Sequence, residues 1–370
     1  MTLLWLLACT APKDKVANDP AKPAPVVSSD KYGATSDRDG FLSIPVTVDD
    51  GVGVFQVVVK PTGRGLVSTE YLYGPGETLV LDWEDWYDSS FSLTESFYAA
   101  DIATTLNWPV RAEDGPLEPG EYTVVISTLD ARGNYVGKAD VIVEVLTRAE
   151  PAPAAGTLRT VIAYANNVRD EPGVVEAVEG AVDYWVELYA AVGITLEPEY
   201  ADIDVDEQLP DTYVGLDEVA AFHEAQDERT TLVVVGERIA EDRWLYGEAG
   251  GIPGPYTAGE ASAVFVGWLA NAGADAEFDD ADVLLFGETL AHEVGHYLGL
   301  FHPVEDGWEY WDALDDTSDC SAMGRCESDL GANLMFPYPV CTGGSAATCL
   351  RQDELSGGQA GVVNRYVGVE

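Results

Sequence analysis

The chain has 370 residues, 46% of them hydrophobic, enough for two domains that each bury a core. Its 65 acidic residues face only 19 basic ones, a formal net charge of −46. So negative a field disfavours nucleic acid and anionic membrane surfaces as partners, and no stretch approaches the roughly 20 apolar residues that span a bilayer.

Leu3-Leu4-Trp5-Leu6-Leu7-Ala8-Cys9 is an apolar run that ends in a small residue and then cysteine. It resembles a bacterial lipoprotein signal, which makes Cys9 the lipidated residue and residues 10–36 a disordered tether rich in Pro, Ala and Asp. The run is short and no Lys or Arg precedes it, so plain secretion is the alternative.

Residues 37–147 read as an all-β sandwich. Runs at 41–48, 54–59 and 78–81 are β-branched and bounded by Gly, Pro and Asp. Farther on, 121–126 and 139–145 flank Arg132-Gly133-Asn134, a hairpin signal. Short strands with such punctuation suggest an immunoglobulin-like or jelly-roll-like fold. Trp83, Trp86, Tyr87, Phe91, Phe97 and Tyr98 fit either core packing or a carbohydrate-binding patch, and packing is the commoner use of aromatics.

Residues 148–156, with Pro151 and Pro153, read as a linker, and periodicity then changes. A strand at 158–164 precedes Val174, Val178, Ala181, Val182, Trp185 and Tyr189 at helical spacing, which Gly193 stops. Strands at 231–235 and 261–267 follow, then a helix over 282–298 with acidic residues at its positive end. This order is an α/β (α+β) pattern, expected over 157–370. His223-Glu224 lacks a second histidine at ligand spacing and reads as surface.

Three of the four histidines lie in His292-Glu293-Val294-Gly295-His296-Tyr297-Leu298-Gly299-Leu300-Phe301-His302, which reads H-E-x-x-H-x-x-G-x-x-H. On a helix His292 and His296 share one face. Gly299 ends the helix and turns the chain, so that His302 can return as third ligand. Three ligands leave a fourth position open, the mark of a catalytic rather than a structural zinc site. Glu293 stands where a general base is needed. Cys320, Cys326, Cys341 and Cys349 read as two disulfides in an exported domain, with three possible pairings. A second zinc site is the rival, but no C-x-x-C pair is present.

The long motif, Asn333-Leu334-Met335, Asp316-Thr317, the surrounding cysteines and Leu355-Ser356-Gly357-Gly358-Gln359 together resemble the metzincin zinc endopeptidases, most closely the pappalysin type. The resemblance covers about 157–370 and implies a twisted sheet above a cleft, with zinc at its floor. It implies His292, His296 and His302 as ligands, Glu293 as base and Met335 as the residue supporting the ligands from beneath. It also implies that 261–267 is the edge strand that holds an extended protein or peptide substrate. Pro337 stands where the family often has a tyrosine, and Tyr338 is the substitute candidate for stabilising the oxyanion. The family can also bind Ca²⁺, for which Asp306, Glu309, Asp312, Asp315, Asp316 and Asp319 offer oxygens, although in a chain this acidic a plain solvated loop explains them better.

The function expected is extracytoplasmic zinc-dependent peptide hydrolysis. The alternative is an anchored binding lipoprotein whose β unit works and whose protease fold is inactive. An inhibitory role for the β unit is a third option, one that would need a carboxylate or steric cover because its only upstream cysteine is Cys9.

Overall fold

The computed structural model describes residues 27–149, 155–205, 219, 221–222, 230–239, 244–256, 263–273, 275–305 and 307–370. Cys9, His223, Glu224 and Asp306 lie outside the described residues.

Two four-stranded antiparallel sheets make the N-terminal unit. One has the order β1 (Val27–Thr35), β9 (Asp140–Arg148), β3 (Val54–Pro61), β7 (Thr104–Trp108). The other runs β2 (Phe41–Val48), β8 (Gly120–Leu129), β4 (Leu66–Gly74), β5 (Thr78–Asp82). Alternate residues such as Ile44, Val46 and Val48 turn inward, as a period of two requires. Phe97 is buried in this core, whereas Tyr87, Phe91 and Tyr98 are exposed.

Three local expectations change here. The tether does not reach residue 36: Val27–Thr35 pairs along its whole length with β9. Its Ser, Asp, Lys and Gly residues hide it from pattern reading, and backbone bonding rather than apolar burial makes the strand. The turn after β8 does form, with Asp130 Oδ1 accepting from the backbone N of Arg132 and Asn134, each at 2.9 Å. It joins no hairpin, because β8 and β9 belong to different sheets. Nor is Arg148 a linker residue, being the buried end of β9.

The C-terminal unit is a five-stranded sheet of order β11 (Ile194–Ile203), β10 (Gly156–Ala165), β12 (Thr231–Gly236), β14 (Ala263–Gly267), β13 (Gly247–Ala249). Four strands are parallel, and β13 alone is antiparallel, at the edge. One face (Ile162, Val233, Val235, Val264, Val266) meets the helices Val174–Ala191 and Asp280–Tyr297. The other (Val161, Ala163, Leu232, Val234, Phe265) has a smaller core of its own. Burial on both faces explains the unbroken apolar runs. The two helices approach closely at Gly287, where a Cβ would lie 2.7 Å from Ala181 O, and Tyr189 Oη donates to Ala291 O at 2.9 Å. Asp279 caps the second helix by a capping box with Asp282.

The units are docked through buried polar side chains that address backbone. Gln56 Nε2 donates to Gly254 O at 3.3 Å, and its Oε1 accepts from Tyr256 N at 2.8 Å. Asn107 does the same, donating to Arg365 O and accepting from Val367 N, each at 3.0 Å. Arg148, 1% exposed, donates to Tyr366 O at 2.8 Å, to Asn364 O at 3.3 Å and to Val369 O. A two-stranded parallel sheet of β6 (Phe91–Ser92) with β15 (Trp311–Asp312) adds a further tie. Among the described residues no helix is long and apolar enough to cross a membrane.

Removing the Arg148 guanidinium strands several buried carbonyls, each worth about 1–3 kcal/mol. Arg148→Ala is therefore expected to lower unfolding stability by roughly 3–5 kcal/mol. Urea titration measures it; a variant within about 0.5 kcal/mol of the parent would remove Arg148 from the docking account.

Candidate active site

His292 and His296 lie one turn apart on the helix Asp280–Tyr297, and Gly299, at φ 110°, releases the chain from it. The turn closes with Leu300 N donating to Gly295 O at 3.0 Å, and His302 comes back beside the other two. The three Nε2 atoms then stand 3.1, 3.1 and 3.3 Å apart. A tetrahedron with bonds of about 2.05 Å has edges of about 3.3 Å, so this donor set fits zinc.

Each ring is held from behind. His292 Nδ1–H donates to Leu334 O at 2.7 Å, His296 Nδ1–H to Leu300 O at 2.7 Å, and His302 Nδ1–H to Glu305 Oε2 at 2.8 Å. The acceptors fix one tautomer for all three, with Nε2 lone pairs turned inward. Burial and then the neighbouring His302 hold the His292 imidazole down at about 3, and burial likewise holds His296 well below its ordinary value. Neutral rings are what a metal needs.

Met335 is fully buried under the helix. A Cβ at Gly295 would meet its sulfur at 2.7 Å, so the methionine fits where Gly295, at a variable position between the first two histidines, has no side chain. The loop that carries Met335 is itself fastened. Asn333 Oδ1 accepts from Met335 N at 2.9 Å, and Asn333 pairs with Gln359 by amide bonds of 2.8 and 3.1 Å. Gln359 forms a capping box with Ser356 at the start of the last helix, Gly357–Arg365. Asp316 in turn accepts from Ser356 Oγ at 2.9 Å and Gly358 N at 2.7 Å. The Asp316 and Ser356-to-Gln359 segments noticed separately in the sequence thus meet.

Glu293 points the other way, against β13, where a Cβ on Gly247 would lie 2.4 Å from its Cγ. Burial pushes its carboxyl up to about 8, and Glu248 beside it adds to the rise. The cavity that contains the histidines measures about 560 Å³ and is bounded by Gly247, Glu248, Phe336 and, from the N-terminal unit, Glu95. The edge strand is therefore β13, not 261–267. Within that segment Ala263–Gly267 is buried and paired on both sides, and residues 261–262 lie outside the described residues.

Tyr338 lines the same cavity, but its hydroxyl donates to Glu327 Oε1 at 3.3 Å and its ring packs on Phe336 at 5.0 Å. An oxyanion role requires that hydrogen bond to be given up. The cysteines pair as Cys320–Cys326 and Cys341–Cys349. Of the acidic residues offered for calcium, Asp316 caps the last helix, and buried Asp312 accepts from Leu314 N at 3.4 Å and from Thr317 Oγ1. Glu305, Gly247, Glu248 and Glu95 were not foreseen. Only Glu305, three residues past the last ligand, carried a signal in its spacing.

No protein-family model and no curated protein sequence matches the chain. Among solved structures it is similar to an archaemetzincin from Methanopyrus kandleri, at 11% identity over 59% of this chain and 91% of that one, TM-score 0.29. It is also similar to metalloproteinase-II from Bacteroides fragilis, at 13% identity over 49% and 54%, TM-score 0.26. Likenesses this slight settle no activity; the chemistry is read from the geometry of the donor set.

Two outcomes follow from this packing. A methyl at position 295 collides with Met335, so Gly295→Ala should weaken zinc binding about 10–100-fold by chelator competition; unchanged affinity would detach Met335 from the ligands. Asp312 has its carboxyl pushed up to about 7, chiefly by burial. Between about 4 and 7 the folded state keeps a proton that the unfolded state releases, so Asp312 lowers stability as pH rises through that window. Asp312→Asn should then gain on the parent between pH 4 and 7.5, on the order of 2–4 kcal/mol. Parallel urea-stability profiles for the two proteins would sink this.

Proposed function

We propose that the protein is a zinc-dependent endopeptidase of the metzincin type, nearest the pappalysins, acting outside the cytoplasm. The observation that carries this reading is the convergence of His292, His296 and His302 on one point, with Glu293 lodged between them and an edge strand. A donor set of three neutral imidazoles matches catalytic zinc, which when bound lowers the pKa of a water towards about 7 and polarises the scissile carbonyl.

The chain's own residues supply the rest. β13 offers its outer backbone edge to an extended peptide by strand addition, which brings a peptide bond alongside Glu293. Glu293 takes the proton of the attacking water and passes it to the leaving amine, so one carboxylate serves as base and then acid. The anchors on Nδ1 keep the three rings oriented through the cycle.

Two disulfides support a compartment outside the cytoplasm, because such bonds persist where thiols are oxidised. An intact Glu293 beside three intact ligands favours the enzyme over an inactive binding protein.

Glu293→Gln should retain zinc and fold while losing about 10²–10⁴-fold or more in kcat on casein or a fluorogenic peptide. A chelator should abolish the parent's activity and added zinc restore it. Full activity in Glu293→Gln would refute the role assigned here.

A further inference from the structure

A second cavity, of about 270 Å³, adjoins the one that holds the histidines. Its walls come from both units. Tyr98, Ala99, Ala100 and Ala103 form one side, while Gly250, Gly251 and Ile252, which directly follow β13, form the other. Glu95 and Ile252 line both cavities, so the two are neighbours across that pair. At that junction Glu95 N donates to Ile252 O at 2.8 Å, and Ile252 N donates to Glu95 Oε2 at 2.9 Å. The pairing locks an N-terminal segment to the end of the edge strand.

The register is legible as well. Glu293 abuts Gly247 at the start of β13, and the second cavity begins just past Ala249 at its end. Three strand residues separate them, roughly 10 Å at about 3.3 Å each. Tyr98, 52% exposed, lines this cavity, and its ring packs against that of Tyr87, 51% exposed, with centroids 5.8 Å apart. Exposed aromatics grouped beside a groove mark a surface that meets another molecule. Ala99, Ala100, Ile102 and Ala103 supply the apolar part of the wall, beside the polar Ser96, Asp101, Thr104 and Thr105, and the small alanines leave space for a larger side chain.

We propose that this groove is a further substrate subsite, which takes a bulky apolar side chain about three residues from the scissile bond of an extended peptide. The N-terminal unit is then a wall of the cleft, and it selects substrate directly. This inference rests on the endopeptidase reading above.

The test is a fluorogenic peptide series on the full chain, with a fixed scissile pair and Leu, Phe or Gly at each position up to four residues on either side. On one side only, Leu or Phe at about the third position should raise kcat/KM roughly tenfold over Gly, mainly through KM. Ala100→Trp, which fills the groove, and Tyr98→Ala, which opens its wall, should each bring that ratio close to one. Thermal melting and bound zinc are read for both variants. Should Ala100→Trp fail those checks, the exposed Tyr98→Ala decides alone by the same criterion. A ratio near one in the parent, or a tenfold ratio that survives the variants, overturns the subsite while leaving the endopeptidase in place. No cleavage of any peptide by the zinc-loaded parent overturns the endopeptidase reading, and the subsite with it.

Discussion

Three nitrogens with inward lone pairs repel one another, and they stand 3.1–3.3 Å apart only because each imidazole is gripped on its far side. The rest of the C-terminal unit can be traced from those grips. Leu300 O is in place because Gly299 turns the chain at a φ that other residues rarely adopt. Leu334 O is in place because Asn333 and Gln359 tie the methionine loop to the last helix, which Asp316 caps. Glu305 is a separate arm, fixed by its own N donating to Tyr310 O at 2.9 Å. A site of three residues thus draws on segments spread over sixty or more positions of the chain.

That dependence explains what the sequence could disclose. The cluster of His292, His296 and His302 with Glu293 beside it was readable because metal chemistry constrains both residue type and spacing, and one helix plus one turn brings the rings together locally. Strands with both faces buried, such as Thr231–Gly236, were readable for a similar reason, since an apolar run needs no partner to be noticed. β13 was not, because three residues that include Gly247 show no periodicity and count as a strand only once β14 lies beside them. β1 was hidden by polar residues whose backbone alone does the pairing. Gln56, Asn107 and Arg148 looked ordinary, since their partners lie roughly two hundred positions away. Residue type announces chemistry; it does not announce which distant backbone an amide will meet.

The junction between the units follows from the same physics. A buried amide is tolerated only when its donors and acceptors are matched, so Gln56 and Asn107 each fix a relative position along the chain they meet. Slippage by one residue would leave those groups unpaired in the interior, at a penalty of about 1–3 kcal/mol each. Purely apolar contact has no such register. The two units therefore share a defined geometry, and Glu95 can bound the cavity that holds the three histidines although it is nearly two hundred residues from His292.

The shortness of β13 carries one more consequence. An edge strand is open to the edge of a neighbouring molecule, the usual starting point of sheet-to-sheet aggregation. Only the three residues Gly247–Ala249 form this edge, and Gly251, at φ 134°, follows shortly after them. A ladder that brief gives two folded copies little backbone to pair through, and a net charge of −46 on each adds repulsion. The shortness of the strand is thereby its own protection against edge-to-edge pairing.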